Sequence, residues 1–185
     1  MNKINKNSMQ KLSFYSALTV LFISFGAFVT EAPKPKLQWS SLTEVEQKLK
    51  TAPRPVLIDL YTDWCGWCKV MDKKTYSNKD LIEYLNNNFY LVKLNAETKA
   101  DVSWKGKTYK YNASYKTNEI ALMLTNGELA YPTTVIIPGE NDAPQPISGM
   151  LEVSEMEMLV KYFAEKKFGV QSFDDYARTF KGNWK

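Results

Sequence analysis

Two cysteines, Cys65 and Cys68, follow closely on a short apolar segment, and this arrangement constrains the fold more than any other feature of the sequence. Residues 56–61 form a nearly continuous apolar run, which is typical of a strand buried on both faces of a sheet. The residues from Gly66 onward mix polar and apolar side chains and are predicted to be helical. The motif Cys-x-x-Cys is therefore expected at the amino end of a helix that follows a buried strand.

This position suits the chemistry of a reactive thiol. The amino end of a helix has unpaired N–H groups and a partial positive charge, which stabilise a thiolate and lower the pKa of a cysteine from about 8.5. Only the thiolate attacks a disulfide. We expect Cys65 to be the accessible nucleophile at the helix tip and Cys68, one turn deeper, to resolve the mixed disulfide. Gly66 allows close approach of a partner, and Trp64 and Trp67 offer apolar surface around the sulfur.

Three uses of the cysteine pair are open: redox exchange, a structural disulfide and half of a metal site. A bridge that closes so short a loop removes only about 2 kcal/mol of unfolded-state entropy, against about 4.7 kcal/mol for a hundred-residue loop. The chain has 2 cysteines and no histidine, so it cannot complete a structural zinc site alone without carboxylates. The absence of histidine also excludes a Ser-His-Asp triad and a Cys-His dyad. Redox exchange is the expected use, with no metal.

Asp59 interrupts the apolar run of residues 56–61. A buried, poorly paired carboxylate has a raised pKa, and such a group can exchange a proton with the thiol of Cys68, directly or through water. Lys93 lies within the next predicted strand, where it is placed to face Asp59 and to modulate it. The alternatives are an Asp59 side chain turned to solvent and a solvated Lys93.

The rest of the chain predicts alternating strands and helices. Ser41 and Glu44 match a capping box at the start of a first helix, and Asn78 is a predicted N-cap of another helix. A strand over residues 89–95 completes a βαβ unit, which implies parallel strands. Further patterns predict a hairpin over 101–111, a helix over 119–125, a strand over 133–137, an edge strand over 147–149, a last helix capped by Ser154, and an amphipathic tail over 169–185.

Residues 1–30 have the composition of an export signal. They carry 3 of the 24 basic residues and no acidic one, and their apolar run precedes a proline-containing segment over 31–38 that is predicted to be an extended linker. The apolar run is long for a signal and short for a membrane span of about 20 residues, so a cleaved signal peptide and an uncleaved membrane anchor are both open. The rest of the chain is nearly neutral, which gives no case for nucleic acid binding.

Three segments together resemble the thioredoxin superfamily: residues 56–69, residues 92–95 and residues 131–134. Residues 63–77 in particular resemble exported thioredoxin-like proteins and the C-terminal domain of the bacterial transmembrane thiol–disulfide interchange family. The resemblance implies an α/β protein with the thioredoxin-like three-layer fold, a mixed central sheet flanked by helices, over residues 39–168. It also implies a small hairpin insert that the minimal fold lacks.

The resemblance further implies roles for individual residues. Sequence chemistry alone favours a trans Tyr131–Pro132 bond, whereas the resemblance implies a cis bond beside the cysteine pair, where the backbone of Tyr131 pairs with substrate. Asp59 and Lys93 correspond to the buried acid and partner lysine of the family. The expected catalytic residues are Cys65, Cys68, Asp59 and Lys93, and the expected substrate-binding residues are Trp64, Gly66, Trp67, Tyr131 and Pro132.

The activity implied is dithiol–disulfide exchange without a bound cofactor. We expect an extracytoplasmic, periplasmic monomer that reduces protein disulfides and is itself reduced by a membrane-bound electron donor. Trp67 stands where ordinary thioredoxins have a proline, so a disulfide oxidant, an isomerase or a non-catalytic binding module stays open. The insert over residues 98–117 is rich in tyrosine and lysine, which suits either a partner-specific surface or a hairpin that covers a sheet edge.

Overall fold

A computed structural model describes residues 35–185 of the chain. The predicted signal or anchor over residues 1–30, and the first part of the predicted linker, lie outside the described residues. The strands are β1 (Trp39–Ser40), β2 (Val56–Tyr61), β3 (Tyr90–Asn95), β4 (Val102–Trp104), β5 (Lys107–Tyr109), β6 (Tyr111–Asn112), β7 (Thr117–Asn118), β8 (Thr133–Ile137) and β9 (Gln145–Ser148). The helices are α1 (Leu42–Leu49), α2 (Gly66–Lys74), α3 (Lys79–Asn88), α4 (Glu119–Leu124), α5 (Val153–Ala164) and α6 (Phe173–Thr179).

A mixed sheet of five strands in the order β1-β3-β2-β8-β9 forms the centre of the fold. Strands β1, β3 and β2 run parallel, whereas β8 is antiparallel to β2 and β9 is antiparallel to β8. The central strand β2 is apolar along almost its whole length because helices cover both of its faces. The predicted α/β class with a mixed sheet flanked by helices is confirmed.

The alternation of side chains along the strands divides the core into two halves. One half packs Ile58 of β2 and Val92 of β3 against α1 and α4. The other half packs Leu57 and its neighbours on the sheet against α2, α3, α5 and α6. Asp59 lies two residues beyond Leu57 and therefore points to the second half, the side of the sheet that α2 covers.

The predicted caps explain where two helices begin. Ser41 forms the full capping box with Glu44 at the start of α1, and the Asn78 side chain accepts from the backbone N–H of Leu81 at the start of α3. The prediction that Ser154 caps the last helix is wrong. An N-cap at Ser154 would start the helix at residue 155, whereas α5 begins two residues earlier, at Val153, with Glu152 as its N-cap. The backbone N–H of Glu152 donates to the Glu155 carboxylate at 2.8 Å.

The insert contains two small hairpins instead of the single predicted one. Strands β4 and β5 pair as expected, but Tyr111 pairs with Asn118 in the second hairpin, β6–β7. A strand of two residues shows too little alternation for its pairing to be predicted from the sequence. Trp104 and Tyr109 of the first hairpin are 2% and 7% exposed and belong to the core half that contains α1.

The C-terminal segment is held on α5 by a buried carboxylate. Glu157 is fully buried and accepts hydrogen bonds from Lys161 Nζ at 2.6 Å and from the backbone N–H of Trp184 at 2.9 Å. A Cβ atom on Gly182 would lie 2.6 Å from the Glu157 carboxylate, so the close approach of the chain depends on glycine there. Tyr176 of α6 is also buried against this half of the core.

Candidate active site

The structure places Cys65 at the amino end of α2. Cys65 is the N-cap residue: its backbone is extended, and its Sγ atom accepts a hydrogen bond from the backbone N–H of Cys68 at 3.0 Å. A turn closed by a hydrogen bond from Cys65 N–H to the Thr62 carbonyl, at 3.1 Å, leads out of β2 into the helix. The two sulfurs are joined in a disulfide, with Cα atoms 5.4 Å apart. The backbone donor that binds Sγ here would also stabilise the thiolate of the reduced form.

The expected exposure of Cys65 is not seen in the disulfide form. Cys65 and Cys68 are only 4% and 5% exposed. The side chain of Cys65 folds back over the first turn of α2 as its cap, and its sulfur is bonded to the deeper cysteine, so little of it faces solvent. Trp64 and Trp67 on either side are 66% and 64% exposed. The space beside Gly66 is open, since a Cβ atom there would meet no atom within 4 Å.

Asp59 and Lys93 meet beneath the helix. Their strand positions are paired in the parallel register of β2 and β3, and Lys93 Nζ lies 2.8 Å from Asp59 Oδ2. The Asp59 side chain is 3% exposed. Burial raises the pKa of Asp59 above its ordinary value, and attraction to Lys93 lowers the pKa only in part. A carboxyl group in this state is suited to accept and return a proton.

A second carboxylate, Asp72, also binds Lys93 and was missed by the sequence reasoning. Asp72 lies on α2 four residues after Cys68, so the two share a face of the helix, and this spacing was the available signal. Burial lowers the pKa of Lys93, but the attraction of the two carboxylates outweighs burial and leaves the pKa raised. Three aromatic rings also surround the ammonium group at 5.2–5.8 Å from their centroids: Trp39, Tyr61 and Tyr76.

Three buried hydroxyl groups belong to segments that adjoin Asp59 or α2. Within residues 35–185, three buried hydroxyls make no hydrogen bond of normal geometry: those of Thr62, Tyr76 and Thr134. Thr134 is the direct neighbour of Asp59 across β2 and β8. Burial raises the pKa of Tyr76 well above its ordinary value, and the charge of Asp59 raises it further. Tyr76 follows α2 in the chain, and nothing in the sequence pattern distinguished it from an ordinary core aromatic residue.

The loop before β8 completes the site. The Tyr131–Pro132 peptide bond is cis, and the Pro132 carbonyl accepts from the backbone N–H of Gly149 at 2.8 Å. The rings of Tyr131 and Trp64 meet edge to face with centroids 5.8 Å apart. The structure therefore brings this loop beside the cysteine motif, as the resemblance implied. Among residues 35–185, no cluster of three or more acidic or cysteine side chains is arranged to hold a metal ion.

A mixed sheet with an N-capping Cys-x-x-Cys pair, a buried acid and a cis-proline loop defines the thioredoxin-like disulfide oxidoreductases. Residues 23–150 match the family model Thioredox_DsbH, described as a protein of unknown function, DUF255. The match covers more than half of the chain, and the chain belongs to this family.

Individual relatives agree with the family assignment. The thiol:disulfide interchange protein DsbD of Klebsiella pneumoniae subsp. pneumoniae is 42% identical over 53 residues, which are 28% of this chain and 9% of that protein. The chain thus spans less than a tenth of this curated relative. A solved DsbH oxidoreductase aligns with a TM-score of 0.51 at 15% identity, over 74% of this chain and 93% of the other. A thioredoxin-fold protein from Helicobacter pylori aligns with a TM-score of 0.53 at 14% identity, over 68% and 78%. The structural likenesses establish the fold.

None of the helices between residues 35 and 185 is both long and apolar enough to cross a bilayer.

Proposed function

We propose that this protein reduces disulfides of other proteins by dithiol–disulfide exchange. The observation that carries the proposal is the position of Cys65 at the start of α2. Cys65 is the N-cap residue, and its Sγ atom accepts a hydrogen bond from the backbone N–H of Cys68 at 3.0 Å. A hydrogen bond from a backbone N–H and the positive end of the helix both favour the thiolate, the only form that attacks a disulfide.

The exchange proceeds in two steps. In the first, the Cys65 thiolate attacks one sulfur of the substrate disulfide, a mixed disulfide forms, and the other substrate sulfur leaves as a thiolate. In the second, Cys68 loses its proton and attacks Cys65 Sγ, which releases the second substrate thiol and leaves the Cys65–Cys68 disulfide. The two electrons gained by the substrate come from the dithiol, and a donor must return them for the next cycle.

Asp59 is proposed as the group that accepts the proton of Cys68. It lies on the face of the sheet that α2 covers, it is 3% exposed, and burial raises its pKa. Lys93 is proposed to stabilise the carboxylate that forms when the proton is returned, through its ion pair at 2.8 Å. The exposed rings of Trp64 and Trp67, the open space at Gly66 and the loop of Tyr131 and Pro132 are proposed to bind the substrate.

The cellular setting proposed is extracytoplasmic. Its support is the lysine-containing, apolar composition of residues 1–30, which suits a cleaved export signal or a membrane anchor. A membrane-bound electron donor is proposed because of the partial match to a thiol:disulfide interchange protein. The protein is proposed to act as a monomer on protein thiols and disulfides, and its nearly neutral body beyond residue 30 gives no support for nucleic acid binding.

An insulin-reduction assay with dithiothreitol tests the reductase activity. The wild type should accelerate precipitation of the insulin chains, and Cys65→Ser should not. Equal rates for the two proteins would refute the proposal. A Cys68→Ala variant should accumulate mixed disulfides that can be trapped, whereas a non-catalytic binding module would trap none.

The direction of electron flow needs a separate measurement. A proline at the position of Trp67, as in ordinary thioredoxins, would indicate a reductant, and this chain has tryptophan there instead. Equilibrium titration with glutathione gives the reduction potential of the pair. A potential of about −270 mV supports a reductase, whereas a potential of about −120 mV would support an oxidant.

A further inference from the structure

Trp64 and Tyr131 form an aromatic wall beside the disulfide. Their rings meet edge to face at 5.8 Å and 84°, Trp64 immediately precedes Cys65, and Tyr131 immediately precedes the cis-proline. Trp64 is 66% exposed and Tyr131 is half-buried. Rigid aromatic surface of this kind is what protein partners bind most strongly.

The wall is held from behind by Glu97. The indole N–H of Trp64 donates to Glu97 Oε1 at 2.9 Å, and this N–H is the only polar group of the side chain. Asn95 binds the residues on both sides of this contact. Its Oδ1 accepts from the backbone N–H of Glu97 at 2.9 Å, and its Nδ2 donates to Oδ2 of Asp63, the residue before Trp64, at 3.0 Å. The exposed face of Trp64 is therefore apolar, and its orientation is set before a partner binds, which lowers the entropy cost of binding.

The insert is anchored to the segment that supports the wall. Thr117, in the last strand of the insert, is buried and donates its hydroxyl to the Ala96 carbonyl at 2.7 Å. The backbone N–H of Asn118 donates to the same carbonyl at 2.7 Å. Tyr131 packs against the core half that contains Trp104 and Tyr109 of the insert. The insert thus contacts the residue that precedes Glu97 and shares a core half with Tyr131.

The aromatic residues of the first hairpin are not available to a partner, because Trp104 and Tyr109 are buried in the core. The contacts of Thr117 and Asn118 with Ala96 indicate a different role for the insert. We propose that the insert is a specificity element: with Glu97 it fixes the wall of Trp64 and Tyr131, and the wall selects substrate disulfides flanked by apolar or aromatic side chains. This inference rests on the proposed exchange chemistry at Cys65. Glu97 and Thr117 act in it as positioning residues.

Two disulfide peptides test the inference, identical except that the residue beside the attacked cysteine is Phe in one and Ser in the other. Hydroxyethyl disulfide serves as a small substrate that cannot reach the wall. Second-order rate constants are measured in single turnovers with the reduced protein. The wild type should prefer the Phe peptide about tenfold, a typical contribution of one buried aromatic contact.

The variants separate positioning from general structure. Glu97→Ala and Thr117→Val should lower the preference for the Phe peptide to about twofold. Glu97→Gln should retain most of the preference because the amide oxygen still accepts from the indole N–H. Glu83→Ala, on the exposed face of α3, is the control and should keep the wild-type preference. All should reduce hydroxyethyl disulfide at the wild-type rate. If Thr117→Val fails to fold, Thr117→Ala removes the same hydroxyl.

The outcomes distinguish two failures. A wild type without preference, or a preference that survives both Glu97→Ala and Thr117→Val, overturns the role of the wall or of its supports. A wild type that leaves hydroxyethyl disulfide unreacted refutes the exchange chemistry instead. In that case the wall is judged by the affinity of the protein for the two peptides with serine in place of cysteine, and equal affinities overturn the inference.

Discussion

Replacing the buried acid by its neutral isostere, Asp59→Asn, should stabilise the protein in a pH-dependent way. The side chain is 3% exposed, and its ion-pair partner, Lys93, is shared with Asp72. The ionised carboxylate is therefore only partly compensated for its loss of hydration. Asparagine has nearly the same volume and leaves no cavity. Replacement of a whole buried ion pair by well-packed uncharged residues gains about 1–4 kcal/mol, and removal of one partner is costly only when the other charge is left buried and unpaired. Lys93 keeps Asp72 as a partner and is 25% exposed, so we expect a gain at the low end of that range, about 1–2 kcal/mol.

The sign of the pH dependence follows from the raised pKa of Asp59. Its ordinary value is 3.8, and burial raises the pKa in the folded state. Between the ordinary pKa and the raised pKa of Asp59, the folded protein therefore binds more protons than the unfolded chain. Wild-type stability falls as the pH rises through this window. The asparagine of the variant cannot titrate, so the stability gap between variant and wild type should be smallest below pH 3.8 and should reach its full size above the folded pKa.

Urea unfolding of the oxidised protein at several pH values measures this gap, because the disulfide keeps the two cysteines from titrating. Asp142→Asn, on an exposed turn, is the matched control and should show no gap at any pH. A gap that is the same at acidic and alkaline pH, or an Asp59→Asn variant that is less stable than wild type at pH 8, would refute the reasoning.

The same substitution should slow the second step of exchange. Without Asp59, Cys68 must give its proton to solvent, so the release of substrate from the mixed disulfide should fall about a hundredfold at neutral pH. The remaining rate should rise with pH as hydroxide takes over. The mixed disulfide can be followed by acid quench and mass spectrometry, and an unchanged rate would exclude Asp59 as the proton acceptor.

Three further changes test other parts of the structure. Tyr76→Phe removes a buried hydroxyl that has no hydrogen bond of normal geometry among residues 35–185, so unfolding stability should change by less than about 0.5 kcal/mol. The pH profile of the resolving step should move because Tyr76 and Asp59 are both neighbours of the Lys93 ammonium group. Glu157→Ala removes the buried acceptor of the C-terminal segment and should cost about 3–5 kcal/mol in urea unfolding, whereas Glu128→Ala, at an exposed position after α4, should cost much less. Trp104→Ala should cost about 3–5 kcal/mol in the same assay, because the ring is 2% exposed in the core; a near-neutral effect would mean that the hairpin does not support the fold.

Local patterns in the sequence determined a large part of the fold. The apolar run of β2, the capping box at Ser41 and the cap at Asn78 act within a few residues, so they could be predicted without knowledge of the tertiary structure. The position of Cys65 at a helix start follows from the same local logic, and the structure has it there. The pairing of Asp59 with Lys93 needed only the register of two parallel strands joined by a helix.

Tertiary structure decided what lies far apart in the chain or depends on small differences in energy. Asp72 joins the ion pair because the packing of α2 on the sheet brings its carboxylate to Lys93 of β3, a contact between distant parts of the chain. Helix α5 begins after Glu152 although Ser154 is the better N-cap residue by local preference, so this start was not set by the local pattern. The burial of Cys65 in its disulfide form, and the contact of Thr117 in the insert with Ala96, arise only in the packed tertiary structure. Hydrophobic periodicity reports which face of an element is buried, but it carries no information about which element covers that face.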